Sequence, residues 1–522
     1  MIRAITESLT WRLLCALWLF LQRSPLGTCT RALGRSVRAS ASYRLCMGLL
    51  RAEPAVERSA VYRLTQKLNQ MLHRLGCFLR KSISESFFLK GLPTGLRGSL
   101  ILRRLLPHGF TGFLLGCAAC YAIIDYVLRD VLQLSAISSV WDEGLMLVCL
   151  LWVFKQRMSG KKPTESRITA VDLLWAFYML LGVILLLFTS DKHLSVNITG
   201  YRASMQYILM FFLILRLIRD QRDLMRMYRL MIAIATVLAL HGIYQFVVGT
   251  EIPAHWTDMA EGAVRTRVFS IFSNPNIMGA YMILFAPMAI GMAYAQKALR
   301  GKLFYWFCGG CMCIACLFTM SRGAWLALAV SAVVFCLIVD RRLLGILFLG
   351  GILSCFLPFV QSRIGYLFTA EFAASNAIGG RGMRWAKAFG YLTEFDSWTL
   401  GLGYGMYGGA VAVQNPVNPL LEYMYVDNYY VKTLAENGIV GLSGLLTALF
   451  GLLWGGLRSC GRTEAKENRP LCAGMLAALI GILTQSFFES LWEEPYLMAL
   501  FFIVAAMMIY LGFLQKKESH CH

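Results

Sequence analysis

The chain has 522 residues, 57% hydrophobic and only 15% charged, with a mean hydropathy of +0.59 and a net charge of +21. A soluble domain carries about a quarter charged residues, so this composition excludes an ordinary soluble globular protein. Apolar runs of about 20 residues recur between short polar breaks, which implies an all-α, polytopic helical membrane protein; an open sheet edge would find no hydrogen-bond partner in lipid.

Residues 1–108 hold 18 Lys+Arg against 4 Asp+Glu, a local balance of +14. The remaining excess sits mostly in short loops. That distribution marks membrane orientation and attraction to anionic headgroups, and argues against a nucleic-acid partner. Leu13–Leu21 is an apolar run of nine, too short to cross. A signal peptide is set aside, because export would carry the basic segment outside. Val61–Leu89 mixes basic and apolar residues at helical spacing. It is expected either as an amphipathic helix on the inner leaflet or as a basic tail. Residues 1–108 are therefore expected as a basic cytoplasmic extension, and 109–522 as the membrane-embedded domain.

Spans are expected at about 110–128, 137–154, 170–189, 203–218, 229–248, 276–295, 303–320, 323–339, 343–360, 431–456, 471–490 and 495–514. These twelve place both termini on one side. Segments 155–167, 219–229, 296–302, 340–342, 458–469 and 515–522 all cluster Lys or Arg, whereas the alternate segments carry more acids. The basic side is expected to be cytoplasmic. The major extracytoplasmic loops are then 249–275 and 361–430, the second lying between late spans.

Cys308, Cys311, Cys313 and Cys316 mimic zinc spacing but fall within one span, where a helix cannot wrap four ligands round an ion. They read as small hydrophobes, and no metal is expected. His241 reads as a satisfied core histidine, and Asp125 is left open.

Arginines gather on the expected outer side: Arg265, Arg267, Arg322, Arg381 and Arg384. Cations are disfavoured there, so each requires a reason. Converging guanidiniums suit a diphosphate, because each offers forked donors and stays charged; pairing with outer acids is the plainer account. Asn274-Pro275-Asn276 reads as a helix start whose free amides favour an anion, or simply as a cap. Asp427-Asn428 precedes the next span. Asp427 reads as a general base or as a cap, and Glu436 as a cavity-facing group or as the partner of Lys432. The glycines at 401, 403, 405, 408 and 409 permit tight turns. Most aromatics of that loop read as interfacial anchors.

Four blocks, RVFSIFSNPNIMGAY (267–281), TMSRGAWLAL (319–328), RGMRWAKAF…LGLGYGMY (381–407) and VDNYYVKTLAENGIVGL (426–442), together resemble the O-antigen ligase/O-antigen polymerase family of bacterial membrane glycan enzymes. The resemblance runs from about residue 110 to the end. It implies a GT-C-like, metal-independent glycosyltransferase with no cofactor, acting on an undecaprenyl-diphosphate-linked glycan and an acceptor glycan at the membrane lipid surface. By it, Arg267 and Arg322 hold the donor diphosphate, with Arg381 or Arg384 assisting, and Asp427 serves as base or acceptor-orienting group. Asn274, Asn276, Asn428 and Glu436 complete the expected site. Ligases of the family often carry His before the Asn. Asp427 in that place leans the reading toward a polymerase. A small-solute transporter, for instance of bicarbonate, and a non-catalytic assembly scaffold are the competing functions.

Overall fold

The computed structural model describes residues 59–85, 109–159, 168–188, 193–251, 266–272, 274–462 and 467–514. Leu13–Leu21, Arg265, residues 160–167 and the 515–522 tail lie outside the described residues. Every helix or strand assignment among the described residues is helical. In chain order the main helices are α1 (Ala60–Glu85), α2 (Gly109–Ala119), α3 (Tyr121–Tyr126), α4 (Trp141–Ser159), α5 (Ala170–Leu187), α6 (Leu194–Met205) and α7 (Ile208–Leu217). There follow α8 (Gln221–Val248), α9 (Pro275–Ala295), α10 (Leu299–Phe318), α11 (Arg322–Ile338), α12 (Leu343–Ser354), α13 (Pro358–Tyr366) and α14 (Ala370–Ile378). The last are α15 (Arg381–Glu394), α16 (Ala410–Gln414), α17 (Tyr429–Arg462), α18 (Asn468–Gln485) and α19 (Pro495–Ile509).

Among the described residues six helices are long and apolar enough to cross a membrane: α5, α8, α9, α10, α17 and α19. Two expected spans are broken. The first turns by 71° between α2 and α3, and the other by 41° between α6 and α7, which brings the number to eight if each pair is one span. At the second break Leu209 and Met210 donate to carbonyls three residues back, a 3₁₀ tightening. The shorter helices α11 and α12 are also apolar.

The described residues form two compact units. One draws on residues 239–386 and 464–485, the other on 53–238, 387–463 and 486–522. In the first, α9 packs against α10, α11 and α18. Its apolar window is 89% buried, so this helix is surrounded by protein rather than lipid. Ser331 on α11 donates to the Ala477 carbonyl on α18 at 2.8 Å, an interhelical bond of the kind that joins membrane helices.

In the second unit α5 packs on α17 and α7 on α19. Thr169 and Asp172 form a capping box that starts α5. The Asp172 carboxylate also holds Arg216 at 2.6 Å. Only a third of the α5 apolar window is buried, and Leu180, Val183, Ile184 and Leu187 are exposed. A contiguous aliphatic strip of this kind matches a lipid-facing surface.

Within the basic N-terminal region the described residues form α1. In α1, Asn69, Leu72 and Gly76 are buried, and Arg157 of α4 donates to the Asn69 side chain. Val61, Leu64, Leu68, Met71, Leu75 and Phe78 are exposed and alternate at spacings of three and four, one continuous stripe on a helix.

The expected span at 431–456 falls within α17, but Gly438, with φ of 62° and ψ of −170°, interrupts the helical backbone there. Such a backbone is open almost only to glycine. The break is repaired from outside. Ile439 and Val440 donate to the Trp398 and Thr399 carbonyls, while Leu402 and Gly403 donate to the carbonyls of Ala435 and Glu436. Irregular backbone within a membrane helix persists where protein meets its polar groups in this way.

Candidate functional site

Three of the expected residues of the first unit are joined directly. Arg267 Nε donates to the Thr319 carbonyl at 3.0 Å, and its Nη2 to Asn276 Oδ1 at 3.3 Å. Val268 N–H adds a bond to the Phe318 carbonyl at 3.2 Å. Asn274 caps α9, with its side chain accepting from Asn276 N–H at 2.8 Å, and Pro275 occupies the first turn, where it costs no hydrogen bond. The segment before α9 is thereby tied to the end of α10, three residues before Arg322.

Arg322 opens α11, and Trp325 donates back to the Leu317 carbonyl across the same turn. The guanidinium lies 5.7 Å from the Tyr366 ring centre and 5.5 Å from that of Phe372, and donates to the Arg363 carbonyl at 3.3 Å. Both ring distances are within cation–π range. Close approach of α9 and α11 has a definite cause: a Cβ on Gly279 would stand 2.7 Å from that of Ala324. Gly279→Val is expected to part these helices and lower any transfer activity by about a hundredfold, since misplacement near 1 Å costs that much. Full activity of this variant in a purified assay would separate the α9–α11 contact from function.

Arg381 and Arg384 begin α15. Arg381 is exposed, and Arg384 donates through Nε to the Gly379 carbonyl at 3.0 Å.

Asp427, Asn428 and Glu436 belong to the second unit. Asn428, not Asp427, is the cap: its Oδ1 accepts from Tyr430 N–H at 2.9 Å and Val431 N–H at 3.1 Å. Asp427 is half-buried, with a left-handed φ of 52°. Glu436 pairs with Lys432 at 2.8 Å, as the plainer expectation held. Both side chains are buried, at 1% and 5% exposure, and Lys432 also reaches Glu493 at 3.5 Å. Glu436 Oε1 is nevertheless buried without a hydrogen-bond partner. Sequence reading missed Glu493, because nothing in sequence brings residue 493 beside 432.

A further feature was not legible in sequence. Ser270, Met320 and Asp427 all have positive φ, at 51°, 55° and 52°. With Asp396, at 48°, they place one such residue in each of the four sequence blocks singled out above; Gln133, at 52°, lies outside them. For a side chain such as Met this conformation is uncommon and costs about 1–3 kcal/mol, a strain that clusters at functional sites.

The start of the glycine-rich run laces onto the break in α17 through Leu402 and Gly403. Among the loop aromatics, Tyr404 and Tyr407 are fully buried and so are not interfacial anchors. Burial pushes both phenols above their ordinary range and keeps them protonated. Trp398 is exposed and stacks on Phe389. His241 is satisfied, with Nδ1 2.9 Å from Ser270 Oγ, and Asp125 pairs with Arg129 at 3.3 Å.

A family model described as O-antigen ligase matches residues 307–446, which include Arg322, Arg381, Arg384, Asp427, Asn428 and Glu436. No curated protein matches the chain. Together with its apolar helices, this match identifies a multi-pass membrane protein of glycan processing. Over residues 307–446 the chain matches the O-antigen ligase family, a match that supports an O-antigen ligase/polymerase assignment.

Proposed function

We propose that this protein transfers a glycan from an undecaprenyl-diphosphate donor to an acceptor hydroxyl at the extracytoplasmic face of a bacterial membrane, as a polymerase rather than a ligase. The donor diphosphate is gripped by Arg267 and Arg322, with Arg381 or Arg384 assisting, beside the helix start at Asn274 and Asn276. The acceptor oxygen attacks the anomeric carbon with inversion. Its proton passes to the Asp427 carboxylate, the bond from that carbon to the diphosphate oxygen breaks, and undecaprenyl diphosphate leaves. Fixed cations stabilise the charge that develops on the leaving group, so no metal is required.

The observation that carries this reading is the bond from Arg267 to Thr319, which ties one arginine block to the turn that bears the other. Left-handed backbone at Ser270, Met320 and Asp427 supports it. The topology goes with it. If α4, α11, α12 and α18 also cross, the spans number twelve, both termini are cytoplasmic and α1 lies with its apolar stripe on the inner leaflet.

Deletion of the gene followed by analysis of lipid-linked glycans tests the assignment. Accumulated single repeat units are expected; accumulated finished polymer would indicate a ligase instead. Asp427→Asn is expected to lower polymerisation in a purified assay by about a hundredfold, the usual scale for losing a general base. A stable variant of full activity would remove Asp427 from that role.

A further inference from the structure

A cavity of about 210 Å³ lies wholly within the second unit. None of its lining residues belongs to the matched segment or to the arginine blocks. Asp142 forms one wall at 6% exposure, and its Oδ2 accepts from Tyr207 OH at 2.7 Å, Tyr121 OH at 3.0 Å and Gln206 Nε2 at 3.1 Å. Three donors on one buried oxygen fix that carboxylate firmly. Beside it, Glu143 Oε1 holds Arg202 at 3.1 Å, and the Glu143 carboxyl also shares a hydrogen bond with the Asp142 carboxyl. Opposite, Asp125 pairs with Arg129 at 3.3 Å and accepts from Trp141 Nε1 at 3.0 Å.

The charges exclude an anion. Asp125, Asp142, Glu143 and Glu493 line the cavity against Arg129 and Arg202, and both guanidiniums are already engaged by carboxylates. Diphosphate or a uronic acid would meet an acidic wall. What the lining accepts is donors: hydroxyls, or an ammonium. Ser138, Ser139 and Thr199 donate their hydroxyls to the Ser135, Ala136 and Ser195 carbonyls, so each presents the cavity with a further acceptor oxygen. The volume suits one ring rather than a chain.

We propose that this cavity binds a single neutral or amino-bearing sugar ring, a glycan subsite separate from the arginine blocks. That the ligand is a sugar rests on the glycan-transfer reading; the preference for a hydroxyl-rich or ammonium-bearing ring over an anion rests on the cavity alone. Glu493 links it to the rest of the unit. The Glu493 carboxylate accepts from Ala410 N–H at 3.1 Å and meets Lys432, one turn beyond the Asn428 cap. A ring in the cavity therefore bears on the helix start that Asp427 precedes.

The test is saturation-transfer NMR on the full-length protein in detergent, with glucose, N-acetylglucosamine, glucosamine and glucuronic acid as probes. Transfer to at least one of the first three is expected, and none to glucuronic acid. Glu143→Gln combined with Arg202→Gln is expected to cut the signal about tenfold, the scale of a lost charge-assisted bond. Thr199→Trp, which fills the cavity without altering its charge, is expected to abolish the signal and carries the test if the double variant fails to fold. Arg322→Ala is expected to leave sugar binding unchanged. No signal from any neutral or amino sugar, equal binding of glucuronic acid, or a signal kept by the folded cavity variants would overturn the proposal. So would a signal lost in Arg322→Ala, since it would then report another site. If Arg322→Ala instead kept full transfer activity while sugar binding persisted, the diphosphate reading would fail and the subsite would stand.

Discussion

Arg322→Ala is expected to lower glycan transfer by about 10²–10³-fold, the cost of removing one fixed group that stabilises charge developing in a transition state. The side chain is half-buried, within cation–π distance of Tyr366 and Phe372, and held to the Arg363 carbonyl. That mounting keeps a planar cation in place. Lysine offers a point charge with neither the planar fork nor the stacking surface, so Arg322→Lys is expected to restore little of the loss. The measurement is turnover of a lipid-linked oligosaccharide by purified protein, with membrane abundance and melting temperature compared between variants. Loss of abundance in step with loss of activity would mark Arg322 as a structural residue. Undiminished glycan at normal abundance would return the scaffold reading to first place.

The second large effect concerns stability. Lys432 stands between Glu436 and Glu493 in a place where all three are mostly shielded, with side-chain exposures of 5%, 1% and 13%. Removing one member of a buried ion pair leaves an uncompensated charge and costs about 3–5 kcal/mol. Lys432→Met is expected to lose stability of that order, read as a lowered thermal midpoint of the detergent-solubilised protein. The double variant Lys432→Met with Glu436→Gln is expected to recover more than half of it, because the orphaned carboxylate goes too. A single variant that melts like the parent would mean that water reaches this cluster. A double variant no better than the single would place the cost in packing around Lys432 instead.

Both residues show where sequence reading stops. Lys432 and Glu436 are four apart on a helix, so their pairing follows from helical geometry alone. Glu493 lies some sixty positions away and joins them only because the turn before α19 packs beside the start of α17. Arg267 is similar: its charge and odd location were visible, but its tie to Thr319 depends on how a short segment crosses the end of α10. The cap at Asn428 and the twist at Asp427 reverse the simplest expectation, which gave capping to the acid.

What the sequence by itself determined is the solvent. Long apolar runs with scarce, clustered charge demand helices in a membrane, because only a helix meets its own backbone hydrogen bonds there. The four blocks likewise sufficed to indicate the family, since their residue types and order are local properties. Tertiary structure alone decided the break at Gly438, the lacing of residues 398–403 onto it, the left-handed turns at Ser270 and Met320, and the acidic cavity walled by Asp142 and Glu143. Each of these depends on contacts between segments distant in the chain. Hydropathy records how much a residue dislikes water, and it carries no information about which distant backbone group will meet an unpaired hydrogen bond.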